Sequence, residues 1–324
     1  WTTTPWTLPA NVALCFHPEA SYSLVVARKD GHQKRLVLAT ALVEGVLRKM
    51  GFEIVETKRS IHGKTLAQQL VGDAPTLICQ GPFGGESIGV TDESVSLQEG
   101  TGVVHIAPGH GHEDYLIGQR CKLSVLSPVD HQGRYTDEVP QWKGQSVWDA
   151  NPKIIADLRS RGLLLKEEPL THSYPHCWRC KQPVIFRATP QWFLRVDDQL
   201  RSKLLASVKQ VQWIPPAGES RMRGMLEARP DWCLSRQRYW GVPIPVLHCD
   251  TCHVPILDLA VIEQTERLLS EKGTDFWFAA KPEDFLPQGH GPCGGGKHLR
   301  KETDILDVWF DSGVSHEAVL KPRK

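Results

Sequence analysis

Apolar positions repeat at two periods along the chain, near two in some stretches and near three and a half in others, and the changes outline its elements. Ser23 to Arg28 reads as a short strand, followed by the turn Lys29-Asp30-Gly31-His32. The spacing of Leu38, Leu42 and Val46 predicts a helix over Leu36 to Lys49, with Lys49 in its last turn and Gly51 as its stop. Phe52 to Thr57, Thr76 to Gln80 and Gly102 to Ile106 read as strands, the last ending at Ala107-Pro108-Gly109. A helix is expected to start at Glu113-Asp114. Another is expected over Asn151 to Arg161, with Asn151 as N-cap, Pro152 in the first turn and Gly162 as the stop. Before all of these, Thr2, Thr3 and Thr4 stand between Trp1 and Trp6 and are halted by Pro5. Proline biases its predecessor toward extended geometry, so Thr3 and Thr4 are expected at a strand or strand edge, their hydroxyls on opposite sides.

From His172 the texture changes. Prolines, aromatics and cations become dense, and the first C-x-x-C appears. The expected organisation is a first domain over 1–170, a connective region over 171–247, a small inserted module over 248–303 and a last segment over 304–324. A length of 324 residues gives ample chain for at least one sizeable core. The net charge of +1 excludes a global basic field, so any nucleic-acid binding must come from local patches. No apolar run approaches the ~18 residues of a membrane span. Nine cysteines, four of them in C-x-x-C pairs, favour metal binding in a reducing compartment over a disulfide framework.

Chemistry concentrates between Gly100 and Tyr115, where a strand delivers His105 to a Pro-Gly turn and a Gly-His-Gly loop leads into a helix start. His105, His110 and His112 beside Glu113 and Asp114 raise a metallohydrolase reading. The spacing argues against it, since the histidines do not share one helix face. Cys249 and Cys252 have a local complement in Cys293 and one of His290 or His298, which fits a closed structural zinc site. Cys177 and Cys180 form a second candidate pair. Arg236, Arg238 and Trp240 make a basic-aromatic patch suited to phosphate contact and base stacking.

Four ordered motifs carry a resemblance: Trp1 to Thr7, Gly100 to Tyr115, Pro230 to Gly241 and Asp307 to Gly313. Together with His172 to Arg179 and Arg187 to Phe193, they are similar to isoleucyl-tRNA synthetases over essentially the whole chain. The Thr-Thr-Thr-Pro-Trp-Thr run resembles the isoleucine branch, where valyl and leucyl relatives place Arg-Pro after two threonines. Neither a HIGH-type nor a KMSKS-type signature is found, so the resemblance is to the middle of such an enzyme. It implies an α/β fold: an editing domain of the valyl, isoleucyl and leucyl type, with a mixed β-barrel-like core and flanking helices. Connective segments of a class I Rossmann core would follow, with the catalytic core beginning again at 304–324.

The resemblance further implies hydrolysis of Val-tRNA(Ile), because an isoleucine pocket rejects valine by only about 1–3 kcal/mol and needs a second sieve. Thr2, Thr3 and Thr4 would contact the ribose, the carbonyl and the attacking water. Trp6 would be a wall, Gly109 and His110 would border the substrate, His105 would set the size limit and Asp114 would take the α-ammonium. Ile106 stands where the family usually has threonine, and alternation beside His105 turns it away from the pocket. Editing would need no cofactor; ATP and magnesium would serve only the full-length enzyme. The zinc at Cys177 and Cys180 would need a partner pair lying before residue 1. The expected partner is the tRNA(Ile) acceptor end, with a monomeric chain, no membrane, and a cytoplasmic or alternatively mitochondrial-matrix setting. A rival function is a non-catalytic, zinc-bearing tRNA-positioning module with an inert pocket.

Overall fold

In the computed structural model, which describes residues 1–67, 77–252, 254–287 and 298–323, the chain divides into two units, Trp1–Thr189 and Pro190–Lys324. The first begins with a 3-10 turn at Pro5–Ala10, then β1 (Ala13–Phe16), β2 (Ser21–Lys29), β3 (His32–Ala39), α1 (Val43–Met50), β4 (Glu53–His62) and α2 (Gly63–Ala67). It continues with β5 (Ile78–Gln80), β6 (Glu86–Thr91), β7 (Val103–Ile106), α3 (His112–Cys121) and α4 (Val147–Ser160). Two sheets result. One has the order β5-β6-β1-β7, with β1 parallel to β6 and antiparallel to β7. The other is the antiparallel β3-β2-β4. The fold is mixed α/β.

Three expectations change, each for a local reason. Thr3 and Thr4 do not join a strand, because Pro5 takes the first position of a 3-10 turn, where its missing N–H has no partner to lose. Thr4 keeps the non-helical geometry that a residue before proline requires (φ −132°, ψ 78°). Leu36 to Ala39 belongs to a strand, and the helix is confined to Val43–Met50. Asp30 and Gly31, both at positive φ, close a two-residue hairpin that pairs β3 with β2 from Lys29↔His32 to Tyr22↔Ala39. The third change is at α4, which starts at Val147, with Ser146 as N-cap and Pro152 inside the helix. Val147, Ala150, Ile154 and Leu158 bury one apolar face of it, which outweighs the single bond lost at the proline.

The cores lie where the site is built. Trp6 packs with Val129, Tyr135, Trp142, Val147 and Ile154, fastening the N-terminal turn to α4. Ala13, Cys15, Val90, Ile106 and Ile117 form a second core under β1, β6, β7 and α3. The first unit reaches Thr189, beyond the boundary expected at 170, because residues 171–189 are tied back to it. Ala188 N–H donates to Gly109 O (2.8 Å), and Arg187 donates to Val129 O (3.3 Å).

The second unit contains β8 (Phe193–Leu194), α5 (Asp198–Val208), α6 (Ala217–Glu227), β9 (Trp232–Cys233), β10 (Ser235–Arg236) and β11 (Leu247–Cys249). After these come β12 (Pro255–Ile256), α7 (Leu259–Lys272), α8 (Phe276–Ala279), β13 (Leu299–Lys301), β14 (Ile305–Leu306) and α9 (Val308–Gly313). The sheet β12-β11-β13 and helix α7 enclose Leu247, Cys249, Val261, Leu268, Trp277, Phe285 and Leu299, a small core of their own.

Gly102 leads into β7 at φ +72°, and a Cβ there would stand 2.3 Å from the Ala39 Cβ. Gly102→Ala is therefore expected to destabilise the first unit by about 2 kcal/mol or more, from left-handed strain plus overpacking. Urea unfolding measures it; a change below 0.5 kcal/mol, roughly that of a neutral surface substitution, would contradict the packing described.

Candidate functional site

His105 points inward from β7 and is held at both ring nitrogens. The Asn11 side-chain amide lies 2.8 Å from Nδ1, and Thr7 Oγ1 lies 2.8 Å from Nε2. The other bonds of these partners decide the tautomer. Asn11 Nδ2 also donates to Ala13 O (3.0 Å), so its N–H₂ must face that carbonyl, and Nδ1 of His105 is the acceptor. Thr7 gives its hydroxyl proton to Thr4 O (2.8 Å), so its oxygen receives Nε2–H. Burial pushes the imidazole pKa down to about 3. The ring is a fixed, neutral wall. The sequence reading missed Thr7 and Asn11 as members of this set; the only signal was a polar side chain set among Leu8, Pro9, Ala10, Val12 and Ala13.

A cavity of about 860 Å³ opens beside this wall, lined by Thr2, Thr3, Pro5, Leu8, Gly81, Thr101 and His105, with Val46, Leu158 and Leu164 farther along. Lys49, Arg161, Lys166 and His172 supply its cationic and imidazole groups, and Glu99, Glu167 and Glu168 its carboxylates. Thr2 and Thr3 thus come together with His105 across about a hundred residues of sequence. Thr4 lies behind them: its N–H donates to Thr2 Oγ1 (3.0 Å), its hydroxyl is 3.3 Å from that of Thr3, and its carbonyl receives Thr7. The main chain of residue 1 runs along β7, with the Trp1 ammonium donating to Val103 O (3.1 Å) and His105 N–H to Trp1 O (3.4 Å).

Trp6 is buried, with the His110 ring edge-on to it at 4.7 Å, and neither lines the cavity. His110 Nδ1–H donates to Phe186 O (3.2 Å), and burial lowers the pKa of this imidazole as well. Gly109 is required at its position, since a Cβ would come within 1.9 Å of Leu126 O. Asp114, in the first turn of α3, accepts Ala107 N–H at Oδ2 (2.8 Å), and burial raises its pKa. It stands outside the cavity lining. Ile106 packs into the apolar core with Ala13, Cys15 and Ile117, on the opposite side of β7 from His105.

The remaining candidates lie apart. No group of three or more metal-ligating side chains is gathered among the described residues, and His112 is exposed, so the histidines around His105 do not form a metal centre. Each cysteine pair sits in a turn whose backbone N–H groups approach the first sulfur. The backbone N–H groups of Cys252 and Thr251 point at the Cys249 sulfur and lower its pKa to about 7. Those of Cys180 and Arg179 do the same for Cys177, lowering its pKa. Asp250 N–H donates to His298 O (2.9 Å), bringing the His298 backbone beside the Cys249 pair. His290 and Cys293 lie outside the described residues. Of the basic-aromatic patch, Arg236 is engaged with Asp307 Oδ2 (2.5 Å) and with the carbonyls of Cys233 and Ser235, whereas Arg238 and Trp240 are exposed.

The clamp predicts that His105 stays neutral, with its proton on Nε2, at pH 5, where a solvent-exposed imidazole is charged. Since its folded pKa lies below the unfolded one, it stabilises the fold fully above about pH 6.5, and this is lost as pH falls toward about 3. Long-range ¹H–¹⁵N NMR reads the tautomer; an imidazolium at pH 5, or a proton on Nδ1, would contradict the geometry.

The family profile described as tRNA synthetases class I (I, L, M and V) matches residues 20–324. The isoleucine–tRNA ligase of Desulforamulus reducens is 45% identical over 99% of this chain and 33% of its own length. That of Kosmotoga olearia is 47% identical over 99% of this chain and 34% of its own. The chain therefore spans about a third of the curated relatives it matches. A solved structure described as "The crystal structure of GlLeuRS-CP1" covers 52% of this chain and 83% of its own, at 13% identity and a TM-score of 0.39, a likeness too slight to argue from. By the profile match over nearly its full length, the chain belongs to the class I tRNA synthetases of the isoleucine, leucine, methionine and valine group.

Proposed function

We propose that this chain is the proofreading region of an isoleucine–tRNA ligase and hydrolyses valine wrongly esterified to tRNA(Ile). The observation that carries the reading is the cavity lined by Thr2 and Thr3 together with a neutral, doubly clamped His105. A synthetic pocket separates isoleucine from valine by one methylene, about 1–3 kcal/mol, so accuracy requires a second compartment that admits the smaller residue.

The residues suit direct attack by water. Thr2 and Thr3 offer hydroxyls that both donate and accept, able to hold the ester carbonyl, the ribose and the incoming water in line. His105 is a poor general base here, since taking a proton at Nδ1 would break its bond from Asn11. Its rigid ring instead fixes the size of the compartment. Thr4 steadies that wall from behind, since its carbonyl takes the Thr7 hydroxyl proton and leaves the Thr7 oxygen to His105. Asp114, which stands outside the cavity lining and whose bond to Ala107 N–H fixes the loop after β7, is assigned the α-ammonium on the family resemblance. Ile106, packed among Ala13 and Cys15, takes no room from the cavity and so gives no support to the inert-pocket alternative.

The reading extends to tRNA(Ile) as partner, through its acceptor end and with Arg238 and Trp240 as contacts, and to a monomeric chain in the cytoplasm. Zinc held by Cys249 and Cys252 with Cys293 and a histidine, and by Cys177 and Cys180 with a further pair, would brace the loops that carry them. ATP and magnesium belong to ligation by the longer protein. No helix among the described residues is long and apolar enough to cross a membrane.

Deacylation of Val-tRNA(Ile) by the chain tests the assignment. Thr3→Ala is expected to lower kcat by about 10²-fold, the loss seen when one transition-state donor is removed. His105→Ala is expected to admit Ile-tRNA(Ile). Asp114→Asn keeps an acceptor for Ala107 N–H while deleting the charge, so a tenfold or larger fall in kcat/KM, about 1.4 kcal/mol, is expected with the fold intact. Full activity in Asp114→Asn would remove the ammonium role, and wild-type rates in Thr3→Ala would remove the hydroxyl role.

A further inference from the structure

The turn Gly81-Pro82-Phe83-Gly84-Gly85 joins β5 to β6, and its Gly81 and Pro82 line the cavity. Gly84 and Gly85 stand at positive φ (95° and 76°), with open space where a Cβ would be. Two backbone bonds close the turn, Gly81 N–H to Gly85 O (3.0 Å) and Gly84 N–H to Gly81 O (3.2 Å). Glycines leave such a tip many conformations, so its position is set by what it touches.

Helix α4 supplies that contact. Arg161, its C-cap, directs the guanidinium at the tip: Nη2 donates to Pro82 O, and the group lies 5.4 Å from the centre of the Phe83 ring. Asp157, one turn back on the helix, accepts Nη1 at 3.0 Å and aims the fork. Phe83 meets Trp142 edge to face at 4.9 Å and packs against the core that holds Trp6. At the other end of the turn, a Cβ on Gly81 would stand 3.5 Å from Oδ1 of Asn11, the residue that clamps His105. A cation at a helix C-terminus is favourable in itself, and lysine would serve that purpose as well. A fork divided between a carboxylate of its own helix and a carbonyl of the turn does more, because it ties the two together.

We propose that Arg161 is a positioning residue for the hydrolytic site: it latches the Gly81–Gly85 turn to α4 and so keeps Gly81 and Pro82 in the lining that receives the ester. This rests on the hydrolytic reading for the identity of the ligand. Without the latch the turn leaves α4 and the cavity loses part of its wall, while the threonines and His105 keep their places. Ester binding weakens and the chemical step does not.

Hydrogen–deuterium exchange of the full chain reads the latch without any substrate. Arg161→Ala is expected to speed exchange of the Gly81 and Gly84 amides about fivefold or more, leaving Gly89 N–H, which donates to Leu77 O at the base of the hairpin, unchanged. Arg161→Lys, able to reach Pro82 or Asp157 but not both, is expected to fall between. Phe83→Leu keeps an apolar contact for Trp142 and removes the ring from Arg161, so adding it to Arg161→Ala is expected to increase exchange no further. With Val-tRNA(Ile), Arg161→Ala is expected to raise KM about fivefold with kcat within about twofold. Unchanged exchange in the turn, an equal rise at Gly89, or a fall in kcat at constant KM would overturn the proposal. Failure of the wild-type chain to release valine would remove the hydrolytic reading, and the exchange result would still decide whether Arg161 holds the turn.

Discussion

The bonds that hold His105 organise the first unit. One imidazole joins three pieces of chain: β7, on which it sits, the 3-10 turn that supplies Thr7, and the start of β1 through Asn11. Each partner is itself committed, Thr7 to Thr4 O and Asn11 to Ala13 O, so the donors and acceptors form a closed chain. A buried ring in such a chain cannot take a proton without losing a bond, which agrees with the pKa of about 3. The same constraint sets the threonine run against the cavity. It leaves Thr2, Thr3 and a fixed imidazole lining one cavity.

Rigidity is what a size-selective compartment requires. Protein interiors resist deformation, so a wall fixed at both ends converts the volume of one methylene into a usable difference in binding. Trp6, edge to face with His110, sits in the core that fastens the N-terminal turn to α4. The opposite face of β7 sends Ile106 into the apolar core, so alternation on one short strand separates the two duties of site and core.

Much of this was legible in the sequence. The Asp30-Gly31 turn, the strand ending at Ala107, the helix beginning near Glu113 and the inward His105 against the buried Ile106 all follow from local chemistry and a period of two. What was not legible came from longer range. Leu38, Leu42 and Val46 fit a helical period, yet pairing with β2 claims Leu38 for a strand. Pro152 resembled a helix start until the apolar face of Val147 and Ala150 extended the helix past it. Thr7 and Asn11 carry no local signature, because their role exists only once His105 arrives from 94 residues away or more. Asp114 was placed at a helix start, but its bond to Ala107 N–H is a property of the folded loop.

The central claim is that the cavity discriminates by size and hydrolyses what it admits. The most direct measurement is the single-turnover rate at which the chain releases amino acid from Val-tRNA(Ile) and from Ile-tRNA(Ile), side by side at equal concentration. The account predicts release of valine with isoleucine left attached, by a factor of 10 or more, within reach of the ~1–3 kcal/mol that one methylene supplies. Equal rates for the two, or release of neither, would contradict it.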